Sequence, residues 1–202
     1  LVFASGSQVE PAGFGATQTL AYYLKQWIFD NQFVAATVAD VASLKFAEAS
    51  VYPGTVADDA PRISRTIEID ASYATDPAIE LNNDETVLRP TGLYVAPGDL
   101  VEITVDAGAI NQGITARVGL QLADLEATWT RFARFPRISN SFAITASTTQ
   151  VANPFGGGLY FEVPDGLDLG TISVAVKGAV AMPFYSTLDL RGHSSDLQAF
   201  QA

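Results

Sequence analysis

The sequence predicts a mainly β protein: an antiparallel β-sandwich or jelly-roll-like domain preceded by a small helical segment. Three observations carry this. Helical spacing of apolar residues is confined to the first fifty positions. From Arg62 onward the period becomes two, in short stretches separated by Pro, Gly and Asn breaks. Hydrophobic residues make up 48% of the 202 and charged ones 16%, enough apolar volume to fill a core without the disulfides that the absence of Cys rules out. Many short strands with no helical pattern between them favour antiparallel layers over a βαβ sheet.

The elements follow in order. In "TQTLAYYLKQWIFDN" the residues Leu20, Tyr23, Leu24, Trp27 and Ile28 fall at i, i+3, i+4, i+7 and i+8, which predicts a helix with that face as its packing surface. Thr17 or Thr19 is the expected cap and Asp30-Asn31 the expected end. A second helix is expected over 37–50, capped by Thr37, with Val38, Val41, Ala42 and Phe46 on one side. "YPGTVADDAP" then breaks the pattern. "RISRTIEID" alternates Ile63, Ile67 and Ile69 with polar residues, as a half-buried strand does. The acidic, turn-rich "ATDPAIELNNDETVLRP" reads as a loop. Further strands are expected in "GLYVA", "DLVEITVD", "ITARVGLQL", "SFAITAS", "TTQVA", "GLYFEVP", "TISVAVKGAVA" and "PFYSTLDL", with "ADLEATWTRFARFPR" a short helix or an irregular loop. The organisation is a helical segment over 1–50, a β domain over 51–190 and a tail or linker over 191–202.

Charge and composition narrow the function. The net charge of −11 argues against nucleic acid and anionic membrane as partners, since both attract basic surfaces. No apolar run reaches the roughly 18 residues that a membrane-spanning helix needs. One histidine, His193, stands near the end of the chain; neither H-E-x-x-H nor G-x-S-x-G occurs, so no catalytic residue and no metal or cofactor site is assigned in this chain. The acidic pairs Asp58-Asp59 and Asp84-Glu85 lack the spaced Asp/Asn/Gly pattern of a calcium loop and read as solvated loops.

Two stretches remain as candidate sites. "WTRFARFPR" places three of the chain's 11 basic residues within seven positions. Trp129, Arg131, Arg134 and Arg137 could stack on sugar rings and bond to hydroxyls or carboxylates, or form a docking surface for another domain, or the aromatics could be core with Arg stems at its edge. "NPFGGGLYFEVP" has no Lys and opens a strand, so it is no phosphate loop. Asn153, Phe155, Gly156 and Gly157 form a turn that either only reverses the chain or brings backbone close to a substrate.

Five stretches in order, "YPGTVADDAPRISRTIEID", "PTGLYVAPGDLVEITV", "WTRFARFPRISNSFAI", "NPFGGGLYFEVP" and "ISVAVKGAVAMPFY", resemble the β-rich region of enhancin-like zinc metallopeptidases, which include viral enhancins and bacterial mucin- and glycoprotein-degrading enzymes. The resemblance runs from about Tyr52 to Tyr185. "VGLQLADL" departs from it, being more apolar than the corresponding segment of many relatives. The resemblance implies a non-catalytic N-terminal portion of a secreted or cell-surface bacterial peptidase. Its zinc would sit in a catalytic domain of the same parent chain, which would be the partner of this region along with glycoprotein or glycan. The alternative expectation is an independent carbohydrate-binding β-sandwich module.

Overall fold

The structure, a computed structural model, describes residues 2–4, 6–75 and 85–183. Most of the expected acidic loop, the strand expected in "PFYSTLDL", the tail and His193 lie outside the described residues. Eight antiparallel strands form one continuous sheet that curls into a near-barrel: β1 (Arg62–Ser72), β2 (Thr86–Val95), β3 (Val101–Val105), β4 (Thr115–Val118), β5 (Asn140–Ala143), β6 (Thr148–Val151), β7 (Gly157–Pro164) and β8 (Asp168–Ala181). The order is β5-β4-β7-β2-β8-β3-β6, with β1 on the remaining edge of β8.

Strand β8 organises the sheet. Along one edge it pairs with β1; along the other it pairs first with β3, from Val174 to Lys177, and then with β2 at Val180 and Ala181. The change of partner falls at Gly178, where φ is +91° and the β1 register skips a residue. A Cβ there would lie 3.1 Å from the Leu100 carbonyl oxygen, so the bulge that turns the sheet needs glycine. At the far ends β5 approaches β6, and the Asn140 side chain donates to the Ala152 carbonyl at 3.1 Å across the gap. Alternate residues such as Leu159, Phe161 and Val163 of β7 point into the core with Leu93, Ile103, Phe142 and Val176.

Eight of the expected strands are present; burial alternates along β3, β6 and β7, whereas β4 buries Ala116, Arg117 and Val118 in succession and ends there, short of the strand expected to Leu122. One differs at its start: β2 begins at Thr86, inside the stretch read as a loop. Pro90 and Gly92 do not end the strand. They create instead a bulge between Pro90 and Tyr94, where Thr91 substitutes for the interrupted ladder. Its hydroxyl donates to the Leu159 carbonyl at 2.7 Å and accepts from the Leu93 amide at 3.1 Å.

The helical segment departs further from expectation. Helix α1 (Ala16–Gln32) buries Tyr22, Gln26 and Phe29, and leaves Leu20, Tyr23, Leu24 and Trp27 exposed. The face read as packing surface is the outer one; of its five residues only Ile28 is partly buried against the core. The inner face wins because Tyr22 joins an aromatic cluster with Phe3, Phe14, Phe132 and Phe135, with ring centroids 5.5–6.5 Å apart. Gly15, not Thr17 or Thr19, is the cap: the Gln18 side chain reaches back to its amide at 3.4 Å, while the Thr19 hydroxyl donates to its carbonyl. The expected second helix is broken into α2 (Val38–Val41) and a 3-10 turn, Ala47–Ser50. Between them Phe46 is extended; its amide donates to the Pro154 carbonyl at 2.9 Å and its ring meets Phe155 edge-on. Tertiary packing overrides helix propensity there.

Candidate functional site

The segment between β4 and β5 is built from a capped turn. Asp124 accepts from the Glu126 amide at 3.0 Å and starts α3 (Leu125–Thr128), a single turn. The Trp129 amide closes it on the Leu125 carbonyl, and the chain becomes extended at Trp129. Two hydrogen bonds then tie Phe132 to Val9, which fixes the segment against the chain's N-terminal stretch. This register sends Phe132 and Phe135 inward and Trp129 and Arg131 outward. The phenylalanines of "WTRFARFPR" are therefore core, while Trp129 is 63% exposed.

Trp129 and Arg131 border an open cleft of about 440 Å³, together with Gln8, Tyr52, Leu125 and Arg134. Among the described residues Arg131 is held only by Glu10 at 3.4 Å, an exposed ion pair worth at most about 1 kcal/mol, so it can turn to a ligand at little cost. Arg134 is more constrained. It donates to the Phe135 and Pro136 carbonyls at 2.7 and 3.0 Å and lies over the Tyr52 ring at 5.8 Å. Burial pushes its guanidinium below the usual arginine range, against the opposing pull of Tyr52. Tyr52 is in turn fixed by a hydrogen bond from Gln121. The cleft thus has a mobile cation, a fixed cation and an indole face, a set suited to a ligand with ring C–H faces and hydroxyl or carboxylate groups.

Arg137 stands apart from this cleft. Asp30 and Asp124 hold it at 2.9 and 2.8 Å, with Glu126 at 3.5 Å, and the hydrogen bonds to Asp30 outweigh burial and raise its pKa. Its role is to rivet α1 to α3. The glycine turn is also interior. Asn153 is fully buried; its amide donates to the Ile138 carbonyl at 2.8 Å and to Asn140 at 3.0 Å, while its carbonyl accepts from the Phe155 amide at 2.9 Å. Phe155 packs against Phe29, Phe46 and Phe135. Gly156 has φ +75°, and a Cβ on Gly157 would lie 2.7 Å from the Gly119 amide, where β4 and β7 backbones touch. Contact between these four residues and a ligand would require the chain to open. Gln8, Tyr52 and Leu125 were not legible as site residues, because only the fold brings positions 8, 52 and 125–134 together.

Residues 59–177, more than half of the chain, match the N-terminal domain of M60-like peptidases. The chain belongs to this family. The M60-like domain is also 32% identical over 127 residues to mouse TRPM8 channel-associated factor 2, covering 60% of this chain and 14% of that protein. With the human factor 2 it shares 32% over 104 residues, 52% of this chain and 11% of that protein. Among solved structures, the IMPa metallopeptidase from Pseudomonas aeruginosa superposes with a TM-score of 0.50 at 21% identity, covering 74% of this chain and 17% of the enzyme. That likeness is one of fold. The chain therefore spans only 11–17% of these proteins. The Trp129–Arg131 edge of the cleft and the glycine turn fall inside the matched stretch; α1, Gln8 and Tyr52 fall before it. Among the described residues no helix is long and apolar enough to cross a membrane, and no group of three or more His, Asp or Glu could hold a metal ion.

Proposed function

We propose that this M60-like domain is the non-catalytic N-terminal portion of an enhancin-like zinc metallopeptidase that acts on glycoproteins outside the cell, and that its Trp129 cleft holds glycopeptide beside the peptidase domain. The observation that carries the reading is the exposed indole of Trp129 next to a loosely held Arg131, on a chain whose other aromatics in that segment are core. Stacking of a sugar ring on the indole, with Arg131 donating to its hydroxyls or to an acidic sugar's carboxylate, needs no further rearrangement. Zinc and bond cleavage belong in this reading to the peptidase domain; the chain's own part is binding and presentation.

Calorimetric titration with a mucin-type O-glycopeptide tests it. Trp129→Ala is expected to weaken binding at least tenfold while leaving the melting temperature unchanged, because the side chain is solvent-exposed. Equal affinity of wild type and variant, or no binding to the wild type, rejects the cleft as the glycopeptide site. The exposed platform also serves an independent carbohydrate-binding module. That reading is favoured if the free glycan binds as well as the glycopeptide.

A further inference from the structure

Helix α1 has two opposed apolar faces, and only one is used inside the described structure. The inner face closes the aromatic cluster. The outer face carries Leu20, Tyr23, Leu24 and Trp27 on successive turns, each 50–68% exposed. Isolated exposed apolar residues are ordinary, but four large ones on adjacent turns of one helix form a patch. No charge interrupts it. The helix has two charged residues, and both are turned aside: Lys25 onto Glu48 at 2.7 Å and Asp30 onto Arg137 at 2.9 Å. In a chain of net charge −11 this face is neutral, and among the described residues nothing covers it.

We propose that the outer face of α1 is the dock for an apolar surface of the peptidase portion of the same polypeptide. The identity of the occupant rests on the function proposed above. Size and charge decide against a second copy. The stripe spans roughly 11 Å of helix, and four half-exposed side chains offer roughly 400 Å², about half of what each partner of a stable complex contributes. Two copies would also bring together net charges of −11 each. A domain joined by the chain faces neither obstacle, because linkage supplies an effective concentration near the millimolar range and a small interface suffices. The proteins that this chain resembles have more than four-fifths of their length outside the stretch it spans, so large unmatched portions exist to fill the face. Docking here would also orient the cleft. Arg137 clamps Asp30 of α1 to Asp124 and Glu126 at the turn that carries Trp129, so whatever seats on α1 is held in fixed register with the indole.

The chain has no Cys, which permits a direct test. A single Leu24→Cys substitution is placed in the 202-residue chain and in the full-length gene product, and the rate of maleimide labelling at that peptide is followed by mass spectrometry. Ala146→Cys, in an exposed loop, is the control. The expected result is labelling at Leu24→Cys at least tenfold slower in the full-length product, with the Ala146→Cys rate unchanged. Equal rates at Leu24→Cys in the two proteins overturn the proposal. So does protection that grows with concentration in the 202-residue chain, which would assign the face to a second copy. Protection that persists when glycopeptide binding at Trp129 is absent supports the dock and rejects the cleft, so the two failures are distinguishable.

Discussion

Asn153 is a residue whose type was legible and whose setting was not. Asn-Pro before three glycines marks a turn from local chemistry alone. The turn lies inside the molecule because the groups that satisfy it come from elsewhere: the Ile138 carbonyl, the Asn140 side chain and the Phe155 amide. No short window of sequence contains that arrangement. Removing the amide leaves buried groups unpaired, so Asn153→Ala is expected to cost about 3 kcal/mol. The measurement is a urea unfolding midpoint that falls with an unchanged slope. An unaltered midpoint would mean that solvent reaches the site and that the turn is open after all. Trp129 shows the same limit: it stands three residues before Phe132, as Phe132 stands three before Phe135, so spacing alone does not separate the exposed indole from the two buried rings; the pairing of Phe132 with Val9, distant in sequence, does.

Strands were easier to read than helices, for a physical reason. A strand against a core needs only alternation, and residues such as Ile67, Ile69, Leu159 and Phe161 supply it locally. Helix α1 carries apolar residues on both sides, so periodicity fixes the helix but not which face turns inward. The aromatic partners Phe3, Phe132 and Phe135, distant in sequence, make that choice. The first half of strand β2 lies in a stretch whose acidic, turn-rich composition reads as a loop, and Pro90 and Gly92 interrupt its ladder. Thr91 repairs the ladder between them. Thr91→Val keeps the shape and removes the hydroxyl, leaving the buried Leu93 amide and Leu159 carbonyl without that partner. A loss of about 2 kcal/mol is expected, with faster hydrogen exchange at the Leu93 amide. Unchanged exchange there would show that the bulge is held by its backbone alone.

At the scale of the whole molecule the helical segment and the near-barrel share an interior. Ile28 packs against both hydrophobic clusters, the Asn140 side chain donates to the Phe33 carbonyl at 3.0 Å, and Phe46 is tied to Pro154. Each part also contains a carboxylate turned away from solvent: Glu48 is buried, and Glu162 is 14% exposed. Burial alone would raise Glu48 and Glu162, but hydrogen bonds outweigh it in both cases: Lys25 and the Val2 amide hold Glu48 below its ordinary value, and Thr115, Ser141 and Arg117 do the same for Glu162. A carboxyl lowered in the folded state binds its proton more readily when unfolded, so its contribution is complete above the ordinary value near 4.5 and is lost as pH falls through the lower folded value. Acid should therefore weaken both parts over one window. The shared interior predicts a single unfolding transition across that window. Glu162→Gln tests the sheet's share. The variant leaves the guanidinium of Arg117, itself buried, without its anionic partner and should be less stable than wild type at pH 7. Its stability lacks the Glu162 titration, so the gap to wild type should narrow as pH falls below about 4.5. Urea midpoints measured from pH 7 to pH 3 decide the matter, and a gap that stays constant would show that Glu162 titrates alike in the folded and unfolded chain.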